Sequence, residues 1–343
     1  ESESPLSHIS RVTLFRDLAR VEIQNEIRQN FDETQTWSFG FDLNNSNIWH
    51  EEVGAIINAK LTSDGGHYSP RDFNSRYDWL TLNHFVDMSD GNLGVTLSNA
   101  DCYFMRLGSS IVAQLDTRTP QVSVLVGGRV VGTGSGIYDQ GGEDSFLQRF
   151  ALTSHGAYDP VFAMKFALEH QNPFVVGEVQ GGAGYPADFY SFLAIDNSNV
   201  LLWALKPADD GMEAGIVVRL WNVSQEKQDF SLSVGGEIKK ALNLSHIETP
   251  VGDAVIQGGV LVDSLNPQQM KTYAIFVEQS GASVVTPMSP SATVTSDGVV
   301  IATSTVPVNI ATPSPIPTAE ATPAPDGKGC LLGLFGVLFG MSK

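Results

Sequence analysis

The chain has 343 residues with 38 acidic and 20 basic side chains, a net charge of −18 at neutral pH. A surface this acidic repels phosphate backbones and anionic headgroups, which excludes general nucleic-acid binding. Only 17% of the residues are charged, 42% are apolar and glycine occurs 33 times, a composition that supplies a core and many turns and suits a β-rich protein.

The opening residues, Glu1-Ser2-Glu3-Ser4-Pro5, are not basic and lead into no long apolar run, so no signal peptide is read there. A strand pattern begins within a few residues, and the chain is expected to be the C-terminal piece of a longer polypeptide. Residues 9–29 predict a hairpin. In its second arm Val21, Ile23 and, past the Gln24-Asn25-Glu26 triplet, Ile27 alternate with polar residues, which puts apolar groups on one sheet face. The same alternation predicts strands over residues 36–41, 94–98, 121–126 and 216–221. Turn signals lie between them, among them Ser63-Asp64-Gly65-Gly66, Ser89-Asp90-Gly91-Asn92 and Asp209-Asp210-Gly211. Many short strands separated by turns imply sheets packed on sheets. One helix is expected, from Pro160 to His170, with Asp159 as N-cap and proline in the first turn.

A Gly- and Pro-rich crossing follows that helix, and a second β unit runs from about Phe189 to Val277. Residues 281–327 hold eight Pro and eight Thr, with Asp297, Glu320 and Asp326 as the only charges. Such a segment buries too little apolar area to offset its chain entropy and reads as a disordered, partly polyproline stalk. It ends in an apolar run from Cys330 to Met341 between Lys328 and Lys343, shorter than the roughly 20 residues a membrane-spanning helix needs. Attachment to a membrane or cell wall through this tail is the expectation, with an extracellular or cell-surface location; a cytoplasmic one is the alternative. The expected architecture is therefore all-β: residues 1–171, then a smaller β-sandwich over 172–280, the stalk 281–327 and the tail 328–343.

Chemistry is sparse. Two cysteines, Cys102 and Cys330, exclude a disulfide framework and a cysteine-built zinc site. The seven histidines form no HxH, HxxxH or HExxH pair, so no local metal motif exists. His50-Glu51-Glu52 places His and Glu on opposite faces of a strand and reads as a polar strand end. Gly132-Thr133-Gly134-Ser135-Gly136 lacks the Lys-Ser/Thr of a phosphate loop and reads as a β-turn. The segment from Asp64 to Trp79 is the densest in functional groups. Its aromatic faces and planar polar groups suit a sugar, so His67, Tyr68, Arg71, Arg76, Tyr77 and Asp78 are the substrate-facing candidates. The competing reading is a long surface loop whose aromatics tuck onto the sandwich.

Four segments in order resemble the C-terminal β region of glycoside hydrolase family 38, the α-mannosidases. Residues 79–99 (Trp-Leu-Thr-Leu-Asn-His-Phe-Val-Asp-Met-Ser-Asp-Gly-Asn-Leu-Gly-Val-Thr-Leu-Ser-Asn) look like that family's aromatic-Val-Asp-x-Ser step leading into Gly-Val-x-Leu. Residues 138–155, from Tyr138-Asp139-Gln140-Gly141 to Phe150-Ala151-Leu152-Thr153-Ser154-His155, are similar to its Asp-x-Gly…Phe-x-Tyr-x-Leu-x-Pro-His element, with Phe150 and Ser154 in place of Tyr and Pro. Residues 199–206 with 215–222 resemble its Leu-Lys…Val-x-Arg-Leu pair, and residues 265–273 its closing strand. The resemblance implies that residues 1–171 are part of a galactose-mutarotase-like supersandwich. It implies retaining hydrolysis of α-mannoside glycans in the parent enzyme, with zinc and the catalytic residues on an upstream α/β barrel. No position here matches those motifs, so no catalytic residue, cofactor or metal ligand is assigned to this chain. The alternative is a free-standing, stalked carbohydrate-binding or adhesive module.

Overall fold

The computed structural model describes residues 6–70, 76–130, 135–175, 177, 191–278 and 340–342. The stalk, the tail up to residue 339, most of the Gly132–Gly136 turn and Arg71 lie outside the described residues. An antiparallel seven-stranded sheet runs in the order His8–Leu14, Val21–Ile27, Phe146–His155, Gly94–Asn99, Phe85–Ser89, Asn47–Glu52, Ala55–Asn58. Facing it is a second antiparallel sheet ordered Gln35–Gly40, Gln121–Gly127, Phe104–Leu107, Leu80–Thr81. The backbone of Gly340–Ser342 pairs with the outer edge of Gln35–Gly40. Ile23, Ile27, Phe39, Leu97, Val124 and Phe150 are among the buried side chains between the two sheets.

The first hairpin forms where alternation predicts it, with His8 opposite Ile27 and Leu14 opposite Val21. The Gln-Asn-Glu triplet does not break the alternation. Asn25 takes the interior position between Ile23 and Ile27, and its side-chain oxygen accepts a hydrogen bond from Ser10 Oγ at 2.7 Å. A partner on the next strand thus meets the amide oxygen, while the amide nitrogen is buried without one. The turn after Ser89 closes as its residues dictate. The Asp90 carboxylate accepts from the Asn92 and Leu93 N–H groups at 2.9 Å each, and Gly91 takes a φ of +95° that other residues resist.

The helix, Pro160–Gln171, begins as its sequence requires: the Asp159 carboxylate accepts from Val161 N at 2.8 Å and Phe162 N at 3.3 Å. It lies on the face of the seven-stranded sheet that points away from the first core, over Gly94–Asn99 and Phe85–Ser89. The central strands of that sheet are therefore covered on both faces, while its edge strand His8–Leu14 stays largely exposed. A second sandwich follows. One layer is ordered Leu193–Ile195, Gln228–Val234, Val260–Leu265, Ile256–Gln257. The other is ordered Val200–Pro207, Ile216–Asn222, Met270–Glu278, Glu237–Leu244, Pro250–Asp253. Val218, Leu220, Phe230, Leu232, Leu261 and Tyr273 fill the space between them.

A third apolar cluster joins the pieces. Phe85 and Ile56 from the seven-stranded sheet meet Ala163, Met164 and Ala167 of the helix and Leu201, Trp221 and Val223 of the second sandwich. Trp221 is fully buried and packs edge-on to Trp203 at 5.1 Å between centroids. Gln268 spans the same joint: its Oε1 accepts from Ile56 N at 3.0 Å, its Nε2 donates to Val223 O at 3.1 Å, and its carbonyl accepts from Trp221 Nε1 at 3.3 Å. Trp221→Ala should cost about 3–5 kcal/mol, the usual range for deleting a buried aromatic. Urea unfolding checks this, and a loss below about 1 kcal/mol would show that the joint contributes little.

Candidate functional site

Because the central strands of the seven-stranded sheet are covered on both faces, polar side chains on their second face are buried and need partners. Glu51, expected at a polar strand end, is fully buried, and so is His50 on the opposite face. The expectation about opposite faces holds; the one about exposure does not, because the helix and second sandwich cover what alternation marks as a solvent side. Glu51 Oε2 meets His84 Nδ1 at 2.8 Å, and Glu51 Oε1 accepts from Gly54 N at 2.8 Å. Burial pushes His50 down to about 4, so it is neutral at pH 7, and its Nε2 lies 2.9 Å from Tyr68 OH.

Beneath the helix start, His155 meets Asp87 and Gly94, which lie on two neighbouring paired strands. Asp87 Oδ2 lies 2.6 Å from His155 Nε2 and accepts a hydrogen bond from Thr96 Oγ1 at 2.6 Å. The His155 ring lies across Gly94, where an added Cβ would come within 2.2 Å of it. Burial raises the Asp87 carboxyl, against the lowering effect of His155. Burial also works against a charged His155, but the bond to Asp87 outweighs it and raises the imidazole. These are the Asp, Gly and His of the sequence segments around residues 87, 94 and 155. Their geometry is that of a packed structural pair beneath a helix.

A pair of open clefts shares a ridge formed by Cys102 and Tyr103. Cys102 is buried, its N–H donates to Asn99 Oδ1 at 2.9 Å, and burial pushes its thiol up to about 12. The smaller cleft, of about 500 Å³, is mainly apolar: Trp79, Phe104, Leu125 and Val126 line it, with Arg76 at its side. Tyr103 and Phe104 are 69% and 47% exposed. The larger cleft, of about 1300 Å³, lies between the two sandwiches and mixes polar with apolar surface, with Arg20, Glu22, Arg149, Glu169, His170 and Trp203 among its walls.

The candidates chosen from the sequence scatter across these features. Tyr68 packs against the first core and holds His50, and Tyr77 is buried with its hydroxyl donating to Ser69 O at 2.7 Å. Arg76 and Asp78 are paired with each other at 2.5 and 2.7 Å, and His67 Nδ1 accepts from Asn58 N at 2.9 Å. Arg76 lines the smaller of these two clefts, and none of the other described candidates lines either. Arg20, Arg149 and Trp203 were not singled out in the sequence; no local motif marks them, because the cleft joins segments more than a hundred residues apart.

Residues 199–273 match the family profile described as glycosyl hydrolases family 38 C-terminal beta sandwich domain. Two solved structures from Enterococcus faecalis are similar in fold, one described as a protein in glycosyl hydrolase family 38 and one as an alpha-mannosidase. Each is 14% identical, with a TM-score of 0.57 over 78% of this chain, and the chain spans only 29% and 28% of their respective lengths. No curated protein matches the chain by sequence.

Tyr68→Phe removes the hydroxyl that meets His50 and should cost about 1 kcal/mol, whereas Tyr103→Ala, at an exposed site, should stay within about 0.5 kcal/mol. Thermal melts of both variants test the assignment of Tyr68 to the core. The buried histidines also set an acid limit. His50 and His170 are held at about 4 in the fold against 6.5 when free, so the unfolded chain binds more protons below about pH 6.5. Their contribution is therefore intact above pH 6.5 and falls as the pH drops toward 4, by about 3 kcal/mol for the fully buried His50. Urea midpoints at pH 7 and pH 4.5 should converge in His50→Gln relative to the parent chain; an equal acid loss in both would remove His50 from the account.

Proposed function

We infer, from a chain that carries a family 38 C-terminal β sandwich, that it is the non-catalytic C-terminal β region of an α-mannosidase. The observation that carries this is the combined match: one β sandwich by sequence and both sandwiches by fold, over less than a third of the matched enzymes' length. On this reading the retaining hydrolysis of α-mannosides, and any zinc it uses, belong to an upstream barrel that the two sandwiches brace. The residues described here do not fit a metal: none of their His, Cys, Asp and Glu side chains form a group of three or more that could hold an ion. The joint built on Trp221 and Gln268 supports a bracing role, because it fixes two sandwiches as one surface. Cell-surface attachment through Cys330 and the apolar run after it belongs to the same reading and rests on the sequence alone.

The test compares this chain with a polypeptide extended upstream, each incubated with an activated α-mannoside and zinc. Turnover by the extended form alone is expected. Turnover by the 343-residue chain, lost on replacing one of its acids, would overturn the reading. So would an upstream reading frame that encodes no α/β barrel, which would favour the stalked module instead.

A further inference from the structure

We propose that the large cleft between the two sandwiches binds a neutral oligosaccharide. Its walls come from the first hairpin, the ridge at Tyr103, the end of the helix and strand Val200–Pro207 of the second sandwich. At about 1300 Å³ it exceeds the roughly 300–1,000 Å³ of ordinary small-molecule pockets, so an extended ligand fits it better than a single sugar ring.

The charges in the cleft are mixed and largely answered. Arg20 Nη2 pairs with Glu22 at 3.0 Å, and Arg149 makes a two-pronged contact with Asp101, at 2.7 Å to Oδ1 and 3.0 Å to Oδ2. Glu169 adds a further carboxylate. An anionic ligand would face Glu22 and Glu169, and a cationic one Arg20 and Arg149. Neither sign is selected, so the favoured ligand carries none.

Hydrogen-bonding capacity in the cleft remains unspent. The Asn83 amide and the Glu169 carboxylate have no side-chain partner among the described residues, and Arg20 Nε is buried with no acceptor. His170 gives one ring nitrogen to Ser98 Oγ at 2.8 Å. Burial, together with Arg20 and Arg149, keeps its imidazole neutral, so Nε2 is left as a weak, uncharged partner. Donors and acceptors side by side suit hydroxyl groups, each of which both gives and takes a hydrogen bond. Apolar faces complete the set. Trp203 lies in the wall, Tyr103 stands 69% exposed at the mouth, and Phe174 is 98% exposed beside it. Aromatic faces beside paired donors and acceptors match the two surfaces of a pyranose, its C–H face and its hydroxyl rim.

The proposal stands on the cleft and not on the mannosidase reading, because it concerns binding by this chain rather than turnover by a longer one. The experiment titrates the full chain with an α-linked manno-oligosaccharide, a β-linked gluco-oligosaccharide and a sulfated oligosaccharide, by calorimetry and tryptophan fluorescence. A neutral probe should bind with a Kd below about 1 mM, and the double variant Glu169→Gln, Asn83→Ala should weaken it at least about tenfold with an unchanged melting temperature. The fluorescence change on binding should shrink in Trp203→Phe. The proposal is overturned if no neutral probe binds, if the sulfated probe binds tighter than both neutral ones, or if the double variant binds as the parent does. Preference between the two neutral probes separates this result from the mannosidase reading: binding of the gluco-oligosaccharide alone supports a glycan cleft and counts against an α-mannoside ligand.

Discussion

The structure depends on one constraint: the central strands of the seven-stranded sheet, Gly94–Asn99 and Phe85–Ser89, are covered on both faces. One face meets the five strands opposite it in an ordinary apolar core. The other meets a helix and a second sandwich, and there the buried layer is half apolar and half polar. Phe85 and Ile56 supply packing, while Glu51, Asp87, Thr96 and Ser98 are buried with named partners. Apolar burial contributes about 25 cal/mol per Å², but an unpartnered polar group in the same layer would cost about 1–3 kcal/mol. The polar half therefore specifies how the helix sits. Ser98 meets His170 in one position of the helix only, while Asp87 meets His155 from strand to strand within the sheet.

The same constraint explains how far the sequence could be read. Phe85-Val86-Asp87-Met88-Ser89 alternates cleanly enough for a strand with one wet face, yet all five residues are buried. Alternation reports which residues point together; it does not report what lies beyond them. The helix was legible to within a residue because its signals, Asp159 and Pro160, are local. Asn25 was not, since its tolerance inside the core depends on Ser10 across the hairpin. Two of the four segments that carry the family resemblance, residues 79–99 and 138–155, gain a physical content they lack as a pattern: Asp87 and Gly94 touch His155.

Site residues were harder to read for a related reason. A loop dense in Tyr, Arg and Asp draws attention in a linear sequence, but side chains that lie near one another in sequence often satisfy one another. Arg76 and Asp78 do so two residues apart, and Tyr77 reaches back to the Ser69 carbonyl. The groups left unsatisfied, Asn83, Glu169 and Arg20 Nε, are isolated in sequence and meet only at the seam between sandwiches. Density in sequence and availability in space are different properties, and here they fall on different residues.

The ridge at Cys102 carries a consequence for following the molecule in time. Its thiol is buried and its ionisation is pushed up to about 12, so at neutral pH it is protonated and shielded, and thiol reagents attack the ionised form. Its backbone is tied on both sides to the Asn99 side chain, which accepts from the Cys102 N–H and donates to the Cys102 carbonyl. Modification must then wait for the segment to detach from Asn99. The rate at which this one sulfur becomes alkylated is thereby a clock for local opening of the wall between the two clefts, read from a native residue without any introduced label.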